Sequence, residues 1–361
     1  MKKTSLFFSF VILFITHIHA QKLFNKIEKA DAPYVKMYME GDIKAEELFS
    51  VKEGETADSL VKYTFSAIEW SAVMNCQPCL EEFVSNSKKL EAYLDIKEEL
   101  NKCIAHAVRN DNIRMLDFLV KNKCDIDHEC SSCHGQAPIQ VALTYNNYKM
   151  FFKLLSLGAN ANVQNFQKQN LVHTLTASYN DTKTHSGIPG INAIKSIDIA
   201  KMIIDTLVKR NVNVNAKNKL GDTPLIYAAG TNQPELYTYL KSKGAVVNTS
   251  DKKEIVTLLS FAMYYRSEDG SPTTYSNMFD KILKEENITL TQELATLDDY
   301  DGSYMLISAA RADNEKILKV ILDFENDVNV TDLESMRAID WAVENGNASI
   351  CTILLNKNAE V

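Results

Sequence analysis

The sequence predicts an all-α repeat solenoid, and three observations carry that reading. A phrase recurs at near-constant distance from residue 101 to the end, and its clearest copy reads Gly221-Asp222-Thr223-Pro224-Leu225-Ile226-Tyr227-Ala228-Ala229. Each copy is followed by a second apolar run, such as Met150 to Leu157, Glu235 to Lys243 or Ile350 to Leu355, and closes on a turn such as Gly158-Ala159-Asn160-Ala161-Asn162. One small residue marks the first helix of each copy, at Ala107, Ala142, Ala228, Ala262, Ala309 and Ala342, with Leu175 as the departure. Self-similarity at a period of about 33 residues means stacked helix-turn-helix units, none of which can bury its apolar face alone.

The elements follow in chain order. Residues 1–20 read as a secretory signal: Lys2 and Lys3, the apolar run Leu6 to Ile15, then Ile18-His19-Ala20, with Gln21 first after cleavage. The run is too short for a membrane span. The expectation is therefore an exported, periplasmic or secreted chain, with no membrane insertion after the signal is removed. Residues 21–58 read as a short helix around Lys22–Lys29 and otherwise as a linker or loosely docked arm. Residues 59–97 read as a divergent helical cap, Tyr63 to Val73 and then Leu80 to Leu94, because a terminal unit turns one face to water. Seven repeats are expected to follow, at about 98–132, 133–165, 166–217, 218–249, 250–298, 299–331 and 332–361. In the clearest copy, the Thr223 hydroxyl suits the cap of the first helix and Pro224 its first position. Gly244 permits the left-handed backbone that ends the second helix. Two stretches exceed the period and read as insertions, Tyr179 to Ser196 and Arg266 to Asn277. The lengthened junction from Glu285 to Asp298 is expected to add a short helix around Leu290–Leu297.

The phrase, the small residue and the closing turn together resemble the ankyrin repeat family. The resemblance covers about 260 residues and is strong at 135–165, 219–249, 301–331 and 334–361. It is weaker at 98–127, where Lys102-Cys103-Ile104-Ala105-His106-Ala107-Val108 replaces the family's Thr-Pro-Leu-His phrase. The resemblance implies paired helices joined by hairpin-like fingers, and a partner held in the concave groove between finger tips and first helices. Carried over residue by residue, it places Tyr145, Thr231, Tyr264, Tyr265, Arg311 and Glu344 on the exposed first-helix face, and Lys219, Asp222, Tyr300 and Glu334 on the fingers. Tyrosine and arginine are enriched at binding hot spots. The resemblance also makes His173 a structural residue, bonding backbone at the start of its helix.

The seven cysteines of an exported chain invite disulfides. Cys76, Cys79, Cys124, Cys130 and Cys133 are the candidates, and the odd total leaves at least one thiol over. Cys351, on the last apolar helix face, reads as a small buried residue. Cys130-Ser131-Ser132-Cys133-His134 matches a haem c attachment string, with two thioether bonds and His134 as axial ligand. A repeat finger, however, offers no apolar pocket for a haem. His128, Cys130, Cys133 and His134 supply zinc-ligand types within a few residues, but the adjacency of Cys133 and His134 makes tetrahedral closure awkward. Cys76-Gln77-Pro78-Cys79 resembles the string of thiol-disulfide oxidoreductases, yet the chain around it has no room for their sheet. Local disulfides are the preferred reading of both pairs.

Composition narrows the function. The formal net charge is −8, and no basic cluster with interleaved aromatics occurs, which argues against nucleic-acid binding. Glycine-rich phosphate loops, zinc-protease helices and nucleophile elbows are missing from the sequence. The expectation is a monomeric, non-catalytic binding protein with a protein partner and no cofactor.

Overall fold

Helical pairs recur because short amphipathic helices of seven to fourteen residues pack in two layers, and neither layer is stable alone. The computed structural model describes residues 23, 25–40, 49–56, 59–92, 94–133, 135–178, 184–185, 194–231, 233–263, 277–299, 302–324 and 327–360. The chain divides into two compact units, Met1–Asn160 and Ala161–Val361.

In the first unit, α1 (Ala32–Glu40) is followed by the antiparallel hairpin β1 (Phe49–Thr56) and β2 (Ser59–Ser66), in register from Phe49 opposite Ser66 to Thr56 opposite Ser59. Next come α2 (Ala67–Val73), α3 (Gln77–Ser85) and the single turn α4 (Ser87–Leu90). Two helix pairs complete the unit: α5 (Ile96–Arg109) with α6 (Ile113–Lys121), and α7 (Pro138–Thr144) with α8 (Tyr148–Ser156). Beyond the short helix expected around Lys22–Lys29, the described residues of 21–58 form a helix and a strand where a linker or loosely docked arm was expected. Leu23, Ile27, Val35 and Met39 are buried, and α1 packs on α3. Val35 and Met39 lie one helical turn apart and form a single apolar stripe in an otherwise polar stretch. The helix expected to begin at Tyr63 begins at Ala67, with Ser66 as its cap; residues 59–66 are strand.

A buried polar network ties α2 to α5. The Ser66 hydroxyl accepts from the Glu69 N–H and donates to Glu99, which also receives Lys102 at 2.7 Å. His106 Nε2 lies 3.2 Å from Glu69 Oε1. Each carboxylate is buried with a partner, as the cost of desolvating it demands.

In the second unit, α9 (Leu171–Ser178) and α10 (Ser196–Lys209) are joined through a segment carrying the two-residue strands β3 (Thr184–His185) and β4 (Ile194–Lys195). The remaining pairs are α11 (Pro224–Gly230) with α12 (Pro234–Ser242), and α13 (Lys252–Phe261) with α14 (Asn277–Glu285). The single turn α15 (Gln292–Ala295) fills the lengthened junction where a short helix was expected. Two further pairs follow, α16 (Met305–Arg311) with α17 (Glu315–Leu322), and α18 (Ala338–Glu344) with α19 (Ala348–Leu355). First helices pack on first helices along α9, α11, α13, α16 and α18, while α10, α12 and α14 form the second layer. The small residues Ala228, Ala262, Ala309 and Ala342 are fully buried at the first-helix contacts, as are Ala107 and Ala142 in the first unit.

Backbone groups at the helix ends are satisfied by asparagine and aspartate. Asn112, Asn147, Asn314 and Asn347 each cap a second helix, accepting the N–H of Met115, Met150, Ile317 and Ile350. Three of these caps also reach back one unit: Asn112 to Asn75, Asn147 to Asp111, and Asn347 to Asp313. The acceptors Asn75, Asp111 and Asp313 all have positive φ, the left-handed turn that Asn and Asp tolerate best after Gly. A parallel ladder runs along the turns after the second helices. Asp127 accepts the Asn160 N–H, Asn215 that of Val246, and Asn329 that of Glu360. The amides of Asn215 and Asn329 also donate to the Gly244 and Asn358 carbonyls. Among the first helices, Asp95 and Asp251 cap α5 and α13 in the same way, whereas Thr223 occupies the cap position of α11 but its hydroxyl makes no capping bond.

Asn147 joins both functions, since it caps α8 and donates to the Val108 carbonyl at 3.3 Å and to Asp111 at 3.1 Å. Asn147→Ala is expected to lower the unfolding free energy by roughly 1–3 kcal/mol. Asn147→Asp, which keeps the cap but sets two carboxylates together, should also destabilise. Urea unfolding of the three proteins checks both.

Candidate protein-interaction site

Four fingers in the second unit share one construction. The residue opening each turn is Asn165, Asn218, Asp299 or Asp332, and its side-chain oxygen accepts backbone N–H groups further along the turn. Asn165 takes Gln167 and Gln169, Asn218 takes Leu220 and Asp222, Asp299 takes Ser303, and Asp332 takes Glu334 and Met336. This Asx bracket is local to each finger. A residue of positive φ follows in each: Lys168, Gly221, Gly302 and Ser335.

The last two of these fingers and the first helices beside them enclose a cleft of about 310 Å³, lined by Phe261, Asp299, Ser303, Arg311, Asp332, Leu333 and Glu334. Phe261 ends α13 and packs edge-on against Tyr227, with ring centroids 6.1 Å apart. Gly230 permits that approach: a Cβ there would lie 2.8 Å from the Phe261 ring. Arg311 ends α16, and its guanidinium sits 4.5 Å from the centre of the Trp341 ring. The Trp341 indole N–H donates to Asp332 Oδ2 at 2.9 Å, so the finger carboxylate, the indole and the guanidinium form one rigid chain. Leu333 is 82% exposed at the rim and rests on Gly302 of the preceding finger. Ser303 is buried, and its hydroxyl has no hydrogen-bond partner among the described residues. The site offers a rigid concave wall, an aromatic floor, three carboxylates and one guanidinium.

The sequence-predicted residues fall unevenly around this cleft. Arg311 and Glu334 line it. Glu344 is exposed two residues after the marker Ala342. Thr231 is half-buried at the end of α11, where its hydroxyl donates to the Tyr227 carbonyl at 3.0 Å. Asp222 is almost fully buried; its carboxylate accepts from Asn218 and its carbonyl faces His173 Nε2 at 3.1 Å. Lys219 is exposed, and its N–H donates to the Gln167 carbonyl of the neighbouring finger. Tyr145, in the first unit, is exposed beneath the Arg109 guanidinium at 5.4 Å. Tyr264, Tyr265, Tyr300 and most of the two expected insertions lie outside the described residues. Sequence reasoning missed Phe261, Asp299, Ser303, Asp332 and Leu333. Phe261, like Tyr227 and Trp341, stands one position before the marker alanine, a signal that was present in the phrase itself.

The cysteine motifs resolve into two local pairs. Cys76 joins Cys79 at the start of α3, with Cα atoms 5.3 Å apart, and Cys130 joins Cys133 in a finger of the first unit, at 5.0 Å. Both separations suit a disulfide. Cys124, also a disulfide candidate, stays a thiol along with Cys103 and Cys351. The close Cys130–Cys133 spacing satisfies both finger cysteines locally, and burial raises the Cys124 thiol to about 11. His128 Nε2 lies 3.5 Å from Glu98 Oε1, and His134 lies outside the described residues. Among the described residues no group of three or more His, Cys, Asp or Glu is placed to hold a metal ion. Nor is any helix among them long and apolar enough to cross a membrane.

Comparison with known proteins agrees with this construction. A family model described as ankyrin repeats, three copies, matches residues 273–361, which contain α14 to α19 and most of the cleft. The transient receptor potential cation channel subfamily A member 1 of Homo sapiens is 26% identical over 148 residues, covering 41% of this chain and 11% of that protein. The match thus spans about a tenth of that relative's length. Ankyrin repeats imply protein–protein interaction.

His173 gives the finger architecture a pH signature. Its Nδ1 accepts the Asn170 N–H at 3.2 Å, its Nε2 faces the Asp222 carbonyl, and burial lowers its pKa to about 4. The folded chain therefore keeps it neutral while the unfolded chain protonates it below about 6.5. Stability should fall as pH drops from about 6.5 to 4, by roughly 1 kcal/mol per pH unit from this group. His173→Gln should flatten that slope in urea titrations run across the window.

Alkylation checks the cysteine pairing. Iodoacetamide added to the unfolded but unreduced chain should label Cys103, Cys124 and Cys351 alone, and all seven cysteines after reduction, as read by peptide mass spectrometry.

Proposed function

We propose that this ankyrin repeat protein is an exported, non-catalytic binding protein that holds a protein partner against its fingers and first helices. The observation that carries the reading is the cleft in which Asp332, Leu333 and Glu334 from a finger and Phe261 and Arg311 from first helices face one space. Binding there works by complementarity to a preformed wall, with affinity set by a few aromatic and arginine anchors. Seven helix pairs among the described residues support a count of seven repeats, and the family model covers the last two of them with the second helix of the fifth. The proposed cap comprises residues 59–97, and the chain acts as a monomer.

Export is proposed from the sequence of residues 1–20, with cleavage before Gln21 and a periplasmic or secreted destination. Two cysteine pairs at disulfide distance support an oxidising compartment. The same pairing favours structural cross-links over haem attachment at Cys130, Cys133 and His134, and over thiol exchange at Cys76 and Cys79.

Affinity capture on the mature chain tests the reading. A partner recovered by the unmodified chain should bind about tenfold or more weakly to Arg311→Ala with Glu334→Lys, and normally to the exposed control Lys357→Ala. Equal recovery by all three removes the cleft from the interface. N-terminal sequencing of the chain collected outside the cytoplasm should begin at Gln21; an intact Met1 would remove export.

A further inference from the structure

We infer that the cleft between the last two fingers receives an arginine side chain of the partner protein. The inference rests on the proposed function and names the chemistry that its cleft selects. The lining carries Asp299, Asp332 and Glu334 against Arg311, a formal balance of two negative charges. Arg311 is the only cation among the described lining residues, and it is stacked on Trp341. Low-dielectric walls focus such a field, so a cation is drawn in and an anion repelled.

Charge alone would not make a site. Ser303 supplies the second observation: its hydroxyl is buried at the cleft, is more than nine-tenths shielded and has no partner among the described residues. A buried hydroxyl left unpaired destabilises the chain, and a donor from a ligand relieves that cost. Asp299 and Asp332 already spend Oδ1 on their own fingers, and Asp332 spends Oδ2 on Trp341. No described ion pair engages the exposed Glu334. The geometry therefore offers a carboxylate at the rim and a hydroxyl at depth.

The shape favours arginine over lysine. A volume of about 310 Å³ stands at the bottom of the ~300–1,000 Å³ range of small-molecule pockets, enough for one long side chain. Phe261 gives a flat apolar wall on which a planar guanidinium can stack, while its forked N–H groups meet carboxylate and hydroxyl together. An ammonium would use only the charge.

Trp341 provides a local reporter, because the chain has two tryptophans and Trp70→Phe leaves Trp341 alone. The full chain with that substitution is titrated with three blocked pentapeptides, Gly-Ala-Xaa-Ala-Gly, where Xaa is arginine, citrulline or glutamate. The arginine peptide should change Trp341 emission saturably and bind about tenfold more tightly than the neutral citrulline isostere. The glutamate peptide should not bind. Glu334→Lys should abolish the arginine preference. Ser303→Ala should weaken the arginine peptide about fivefold without lowering Tm, because it removes an unpartnered polar atom from the fold. Raising salt to about 1 M should weaken it further. Equal binding of arginine and citrulline overturns the inference and leaves the groove as a binding face. Silence of all three peptides also overturns it, and the capture experiment then judges the proposed function separately. An unchanged affinity in Ser303→Ala overturns the role assigned to the buried hydroxyl.

Discussion

The structure depends on how short helices dispose of their backbone ends. A helix of seven to nine residues leaves several N–H groups at one end and several carbonyls at the other, so unsatisfied termini are a large fraction of its backbone. Here asparagine and aspartate answer both problems in one step. Asn147 and Asn347 cap their own helices and bond to the left-handed turn one unit back. Asn215 and Asn329 close their own turns onto the next. Each such bond is worth only about 1 kcal/mol net, but it is repeated with the period of the chain. Hydrophobic burial drives the pairs together without specifying their register. The ladder supplies the register, since a slip of one residue would break every rung.

That register shapes the wall proposed for binding. Asp299 and Asp332 each hold the far side of their finger by an Asx bond, to the N–H groups of Ser303 and Met336. The wall between them is then closed by Trp341, whose indole N–H grips Asp332 while its ring carries Arg311. An isolated exposed arginine loses rotamer freedom on binding, and that loss reduces affinity. Arg311 has already given up much of that freedom within the fold. Tyr145, although half exposed, lies under Arg109 in a similar way, so arginine over an aromatic ring from the next first helix recurs in the first unit.

What the sequence made legible follows from the strength of each physical signal. Repetition made the helix pairs readable, because a small residue at one position and an apolar run at another are reinforced copy by copy. Ala228, Ala262, Ala309 and Ala342 are buried where that reading puts them. Elements without repetition were weaker. The helix Ala32–Glu40 offers Val35 and Met39 as its buried positions, too few to stand out from charged surroundings. The hairpin from Phe49 to Ser66 occurs once, so no period could reveal it. Threonine at the cap of α11 suggested a hydroxyl bond that the structure does not make, whereas the asparagines that do cap look like ordinary turn residues in sequence. At the site, the resemblance pointed to positions after the marker alanine. Arg311 lines the cleft from such a position, but the cleft also draws Phe261, and its neighbour Trp341, from the position before the marker.

The finger at Cys130 argues that the bracket itself is the constrained feature, whatever chemistry supplies it. In the other fingers the first residue bonds its N–H to a carbonyl four residues on, as Asn165 does to Gln169 and Asp332 to Met336. Cys130 bonds to the Gln136 carbonyl, six residues on, so this turn is two residues longer. It also has no Asn or Asp at its opening position, and a longer turn lacking an Asx oxygen would sample many conformations. The Cys130–Cys133 link removes that freedom, while the Cys130 carbonyl accepts the N–H groups of Cys133 and Gly135. A covalent cross-link thus stands where a carboxamide or carboxylate stands elsewhere, and the positive φ that completes each bracket is kept at Gly135. The cysteine pair therefore does in this finger what the Asx oxygen does in the others.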